Sequence, residues 1–191
     1  MSLLLETIKI EKGIPQNLSY HQTRLNKSRK ELFGITQPIF LNSLIEAPSK
    51  ALLRCRIVYG QHIESIEYLP YVEKEIHTLK LITSDIQYAY KYANRNTLNT
   101  LLQQAPSHDE IIIVKKGYLT DTTISNLAFY TGKTWLTPKK PLLEGTMRAK
   151  LLDEGYIYKE DIKKEDLHLY SQIALINSML GFKILKNFTI E

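Results

Sequence analysis

Residues 109–155 read DEIIIVKKGYLTDTTISNLAFYTGKTWLTPKKPLLEGTMRAKLLDEG, and their order decides the architecture. Asp109–Asp121 holds an apolar run too short for a helix of ordinary length and is punctuated by Gly117, so it predicts buried strand. SNLAFYTG and KTWLTP predict two more strands, ended by Gly132 and Pro138, and MRAKLLDEG predicts a helix preceded by Gly145. A glycine ahead of a helix has a chemical use. The first N–H groups of the helix and the positive end of its dipole favour a phosphate, and the missing side chain lets the anion approach. Gly145 could equally do no more than turn the chain.

Upstream, LLLETIKIEKG alternates as a strand before a Lys-Gly turn. After Pro15, the segment NLSYHQTRLNKSRKELFG places Leu18, His21, Leu25, Ser28 and Leu32 at helical spacing, with Gly34 as a stop and with Arg24, Lys27 and Lys30 on the other face. ALLRCRIVYG, HIESIEYLPY and EIHTLKLIT predict three strands, the first two joined as a hairpin at Gly60-Gln61. Periodicity lapses over 84–90, which predicts a packed linker between an N-terminal α+β domain, 1–83, and a C-terminal domain, 91–191. KYANRNTLNTLLQQA predicts a helix with Leu98, Leu101 and Leu102 on one face and Asn94 at its N-cap, and SQIALIN and GFKILKNFTI predict the last strands.

Composition excludes several classes. The 191 residues suffice for a substantial core without staples, and the single Cys55, set in an apolar run, excludes an intrachain disulfide and suits a reducing cytoplasm as a core residue. No cysteine and histidine cluster has zinc spacing, so no metal is expected. No stretch approaches the ~20 apolar residues of a membrane span. The start lacks the basic region and cleavage site of a signal peptide. A net charge of +5, spread among alternating acids, fits an anionic small ligand as well as nucleic acid, and none of the helix, finger or aromatic RNA-binding signatures is present.

The succession DEIIIVKKGYLTDTTISNL, TWLTP and LLEGTMR resembles the central signature of fold type IV pyridoxal-phosphate enzymes, the class IV aminotransferases and aminodeoxychorismate lyases. LETIKIEKG (residues 5–13) is similar to that family's first strand, HQTRLNKS (21–28) to its His-x-x-Arg-Leu helix, KYANR (91–95) to its lysine segment and INSMLG (176–181) to its late Asn-Ser turn. The resemblance covers almost the whole chain in the right order. It implies an α+β, two-part D-amino acid aminotransferase-like fold, a small N-terminal α/β sandwich followed by a C-terminal pseudo-barrel part.

It implies pyridoxal 5'-phosphate as cofactor, a Schiff base on Lys91, and phosphate contacts from Arg24, from the backbone of Thr146 and Met147 after Gly145, and from Ser178. A primary amine can make that bond and, once released, move protons at the reacting carbon. Asp121 takes the place of the family's usual Glu at the pyridine nitrogen and Thr122 the place of its Gly, while Asn126 matches the family pattern. Arg54 and Arg56, alternating along one strand, and Tyr59, where the substrate-side strand usually has Arg, are candidates for a substrate carboxylate. Met147 inclines the resemblance to the lyase, which converts 4-amino-4-deoxychorismate to 4-aminobenzoate and pyruvate in folate synthesis. A class IV aminotransferase of branched-chain or D-amino acids and a degenerate, non-catalytic homologue, the latter favoured by Asp121 and Thr122, are the alternatives. A homodimer is the expected form.

Overall fold

Alternating burial along β1 (Leu4–Glu11) gives it one buried side, carrying Leu4, Glu6, Ile8 and Ile10, and one mixed side, carrying Thr7 and Lys9. The computed structural model describes residues 2–191, which cluster into two units, one up to Glu73 with Tyr90–Asn94 and the other Lys74–Ala89 with Arg95–Glu191.

In the first unit β1 pairs with the short β2 (Ile14–Pro15) and with β3 (Leu53–Tyr59), which turns at Gly60 into β4 (Ile63–Pro70), giving the order β2-β1-β3-β4. Helix α1 (Leu18–Phe33) covers one side of this sheet, burying His21, Leu25, Ser28 and Arg29, and Gly34 closes it in the left-handed conformation at φ 71°. Leu32, expected on the buried stripe, lies 38% exposed, and Arg29 is buried instead because its guanidinium donates to the carbonyls of Gln37 and Gln61. Cys55 is a core residue, and burial pushes its thiol up to about 11.

In the second unit a nine-stranded sheet runs β10-β9-β8-β7-β6-β5-β13, with β11 paired to β8 and to β12. Its strands are β5 (Thr78–Thr83), β6 (Glu110–Lys115), β7 (Tyr118–Thr122), β8 (Asn126–Tyr130), β9 (Trp135–Pro138), β10 (Ile157–Glu160), β11 (Gln172–Asn177), β12 (Gly181–Ile184) and β13 (Thr189–Ile190). Two helices belong to the unit, α2 (Asn96–Leu102) and α3 (Thr146–Asp153). The continuous apolar runs of β8 and β11 are explained by burial on both faces: Leu127, Phe129, Ile173 and Leu175 enter one cluster, Ala128, Ala174 and Ile176 another. β6 and β7 form a hairpin whose Lys116 and Gly117 both have positive φ, 52° and 83°, as a two-residue turn requires.

The division of the chain falls elsewhere than at 84–90. β5 lies in the second unit because it pairs in parallel with β6, and Tyr90–Asn94 joins the first unit by lying along β1, with Leu5 N donating to Lys91 O and Ala93 N to Leu3 O. Helix α2 accordingly starts after that pairing ends, with Arg95 rather than Asn94 at its N-cap and no side-chain cap bond. β10 arises from the charged stretch after Gly155, where only Ile157 is buried. Among the described residues no helix is long and apolar enough to cross a membrane, and no group of three His, Cys, Asp or Glu gathers as a metal site.

Candidate active site

The second unit holds most of the sequence candidates in one bonded framework. Asp121 on β7 and Asn126 at the head of β8 are register partners across the tight connection between the strands. Asn126 Nδ2 donates to Asp121 Oδ1 at 2.8 Å and to the Leu143 carbonyl at 2.8 Å, while Leu143 N donates to Asp121 Oδ2 at 2.9 Å. The loop ahead of α3 is thereby fastened to the strand ends. Gly145 lies against Asn126, and a Cβ there would collide with Asn126 Oδ1. Since Gly145 has an ordinary φ of −70°, its residue type is dictated by space and not by a turn.

Helix α3 begins at this point without a side-chain cap, and its first bond is Ala149 N to Gly145 O. The N–H groups of Thr146, Met147 and Arg148 therefore precede any acceptor within the helix, so the chain's own helix has no use for them. Their direction and the helix dipole suit an anion with several oxygens. Arg148 braces the first turn from below, donating from Nε to Thr137 Oγ1 at 3.2 Å and from Nη2 to the Pro138 carbonyl at 2.8 Å. It is 3% exposed, and no sequence signal marks it. Ser178 stands in the turn after β11, shaped by Asn177, whose Oδ1 accepts from Met179 N and Leu180 N and whose Nδ2 donates to Ser125 Oγ at 2.9 Å. That last bond ties the Ser178 turn to the Asp121–Asn126 connection.

Asp121 is buried, and desolvation pushes its carboxyl up to about 6 against the opposing effect of the Asn126 and Leu143 bonds and the Arg148 charge. A second buried carboxyl braces the same connection: Glu110 accepts from Thr123 Oγ1 at 2.8 Å, and burial raises it too.

The first unit carries Arg24 and Lys91. Arg24 donates from Nε to Glu6 Oε1 at 2.9 Å and from Nη2 to Glu6 Oε2 at 2.5 Å, and His21 Nδ1 lies 2.6 Å from Glu6 Oε2. Burial would raise Glu6, but the Arg24 charge and the bonds from His21 and Arg24 prevail and hold the carboxyl at about 2. Burial lowers His21, with the charges of Arg24 and Lys91 adding to it, so the imidazole is neutral and gives its Nδ1 proton to Glu6. Lys91 is thus within electrostatic reach of His21, and its main chain is fixed to Leu5, the neighbour of Glu6. Glu6 and His21 were absent from the sequence candidates. Their signal was present: an acid on the side of β1 that carries Leu4, Ile8 and Ile10, and a histidine on the apolar stripe of α1.

Arg54, Arg56 and Tyr59 are not brought together. The arginines lie on the mixed face of β3, where Arg56 pairs with Glu67 at 2.9 Å, whereas Tyr59 turns to the α1 side and is 1% exposed within the core. Burial raises its phenol far above the ordinary value.

Fold and framework define a mixed α/β protein with a helix start suited to an anion. The chain belongs to the class IV aminotransferase family, whose model, "Amino-transferase class IV", matches residues 3–187. It is 42% identical over 184 residues to an uncharacterized protein of Haemophilus influenzae, covering 93% of this chain and 98% of that protein. It is similar to a crystal structure from Haemophilus somnus described as a "putative 4-amino-4-deoxychorismate lyase", at 41% identity and a TM-score of 0.86, covering 95% of this chain and 98% of that one. A hypothetical aminotransferase from Mycobacterium tuberculosis in a PLP-bound form, 17% identical, shares the fold with a TM-score of 0.83, covering 100% of this chain and 81% of that one. The two-part α+β fold expected from the sequence is the fold of these proteins.

Proposed function

We propose that the chain is a pyridoxal 5'-phosphate-dependent lyase that converts 4-amino-4-deoxychorismate to 4-aminobenzoate and pyruvate, a step of folate synthesis. The observation that carries the cofactor assignment is the uncapped start of α3 behind Gly145, where a side chain is excluded by Asn126. The lyase assignment draws on the name of the relative that matches over nearly its full length.

The residues fit the group. Thr146 and Met147 would hold its phosphate through backbone N–H groups, Ser178 through a hydroxyl and Arg24 through its guanidinium. Asp121 would face the pyridine nitrogen, with Asn126 and Leu143 N fixing its carboxylate. When bound, the group supplies an electron sink for charge released at the carbon bearing the substrate amine.

Lys91 carries both the attachment and the proton chemistry. Its Nζ would hold the cofactor by a covalent bond and, once free, would take the proton from the amine-bearing ring carbon of the substrate. A proton returned to the departing enolpyruvyl group releases pyruvate as the ring becomes aromatic, so no net proton is consumed. Asp121 would serve as a fixed carboxylate toward the cofactor and would move no proton in this scheme. The enzyme acts on a small-molecule carboxylate in the cytoplasm and as a homodimer.

Incubation of the purified protein with 4-amino-4-deoxychorismate tests this directly. 4-Aminobenzoate and pyruvate are expected in equal amounts. Amino transfer from a branched-chain or D-amino acid to 2-oxoglutarate, without 4-aminobenzoate, would replace the lyase with an aminotransferase; neither reaction in cofactor-loaded protein would leave a non-catalytic relative.

A further inference from the structure

Glu6 is a carboxylate with no exposed surface on an otherwise apolar strand face. A buried carboxylate costs several kcal/mol to desolvate unless it is paired and bonded. Here the expense is offset by one cation and one neutral donor: Arg24 through two N–H groups and His21 through one. Such an arrangement is stiff. Two parallel bonds fix the plane of a guanidinium as well as its position, and the α1 spacing of three residues puts His21 beside Arg24 on the same carboxylate.

The network also reaches the lysine segment. Leu5, next to Glu6 on β1, receives Lys91 along its edge, and the Lys91 charge is felt at His21. Arg24 Nη2 and His21 Nδ1 converge on Glu6 Oε2 while Arg24 Nε holds Oε1, so one carboxylate fixes both side chains at once.

We infer that Glu6 is a positioning residue, whose buried carboxylate orients Arg24 for the cofactor phosphate and holds His21 in the same network. This rests on the cofactor reading above. It assigns Glu6 an effect on the phosphate end of the ligand, transmitted through Arg24, and no contact with the reacting atoms. Glu6→Gln keeps the shape and an acceptor for His21, yet offers Arg24 an amide in place of half of its fork.

The experiment is a titration of apoprotein, followed by absorbance, with pyridoxal 5'-phosphate and with pyridoxal, which lacks the phosphate. Wild type, E6Q, R24A and the double variant are compared. Wild type should prefer the phosphorylated form. E6Q should lose that preference by about tenfold or more, the loss of one charge-assisted bond, and should lose little further in the R24A background, because the effect passes through Arg24. An unchanged preference in E6Q, or equal weakening of both ligands, overturns the role of Glu6 while leaving the cofactor reading intact. Wild type that binds neither ligand overturns both. Should E6Q not fold, the Arg24 Nε–H resonance of the wild type decides. It should be protected from solvent exchange and should shift with pyridoxal 5'-phosphate but not pyridoxal; an unprotected or unresponsive resonance overturns the inference.

Discussion

Asn126 Oδ1 occupies the space in which a side chain at residue 145 would begin. The same amide holds Asp121 and the Leu143 carbonyl, so crowding at 145 is transmitted to every part of the loop ahead of α3. Gly145→Ala is expected to destabilise the protein by about 1–3 kcal/mol, the usual cost of overpacking, and to weaken pyridoxal 5'-phosphate binding at least tenfold. Thermal melts and absorbance titrations measure both. An alanine variant equal to wild type in both would reduce Gly145 to a turn residue.

The Asp121 carboxyl, raised by burial to about 6, makes the apoprotein's stability fall as pH rises. A group raised above its unfolded value, about 3.9, contributes fully below that pH and loses its contribution as pH climbs through 6. Urea unfolding of wild type between pH 4 and 7 should therefore show a decline of a few kcal/mol from this group, and Asp121→Asn should remove it. A pH-independent difference between the two proteins would show that Asp121 is not buried in its own unfavourable charge.

Glu6 acts with the opposite sign. Held at about 2, it adds stability that is present above the unfolded carboxylate value and is lost as pH falls from about 4.5 towards 2. Acid unfolding of wild type should be steep in that window. E6Q should be less stable at neutral pH and should show a shallower acid transition; parallel curves would argue against the buried ion pair.

Arg148 supports the start of α3 with bonds to Thr137 Oγ1 and to the Pro138 carbonyl. Arg148→Ala leaves a buried carbonyl without its donor and a cavity in its place, at a cost of about 2–4 kcal/mol. Chemical denaturation checks this, and a loss below half a kcal/mol would mean that the guanidinium is not a brace.

Local pattern made part of this legible in the sequence. Alternation located β1 and β3, the apolar spacing and Gly34 located α1, and Gly145 ahead of a helical segment located α3, since each depends on neighbours in the chain. The division into units was not legible, because it depends on β5 pairing with the distant β6 and on Lys91 pairing with Leu5. Arg148 gave no signal, as a burial forced by Thr137 and Pro138 leaves no mark on its own helix. Tyr59 is a different case: alternation along β3 already separates it from Arg54 and Arg56, and only its family position suggests it for the same role. Glu6 and His21 show the limit of pattern reading. An acid and a histidine on apolar faces are visible as exceptions, but only the fold brings Arg24 to both.

Everything rests on Lys91 as the attachment point of the cofactor, and one measurement addresses that residue alone. The protein is loaded with pyridoxal 5'-phosphate, reduced with borohydride, digested and mapped by mass spectrometry. The reduced cofactor is expected on the peptide containing Lys91, at close to one per chain, and is expected to be absent from Lys91→Ala. A label on another lysine, or no label in protein saturated with cofactor, would contradict the account.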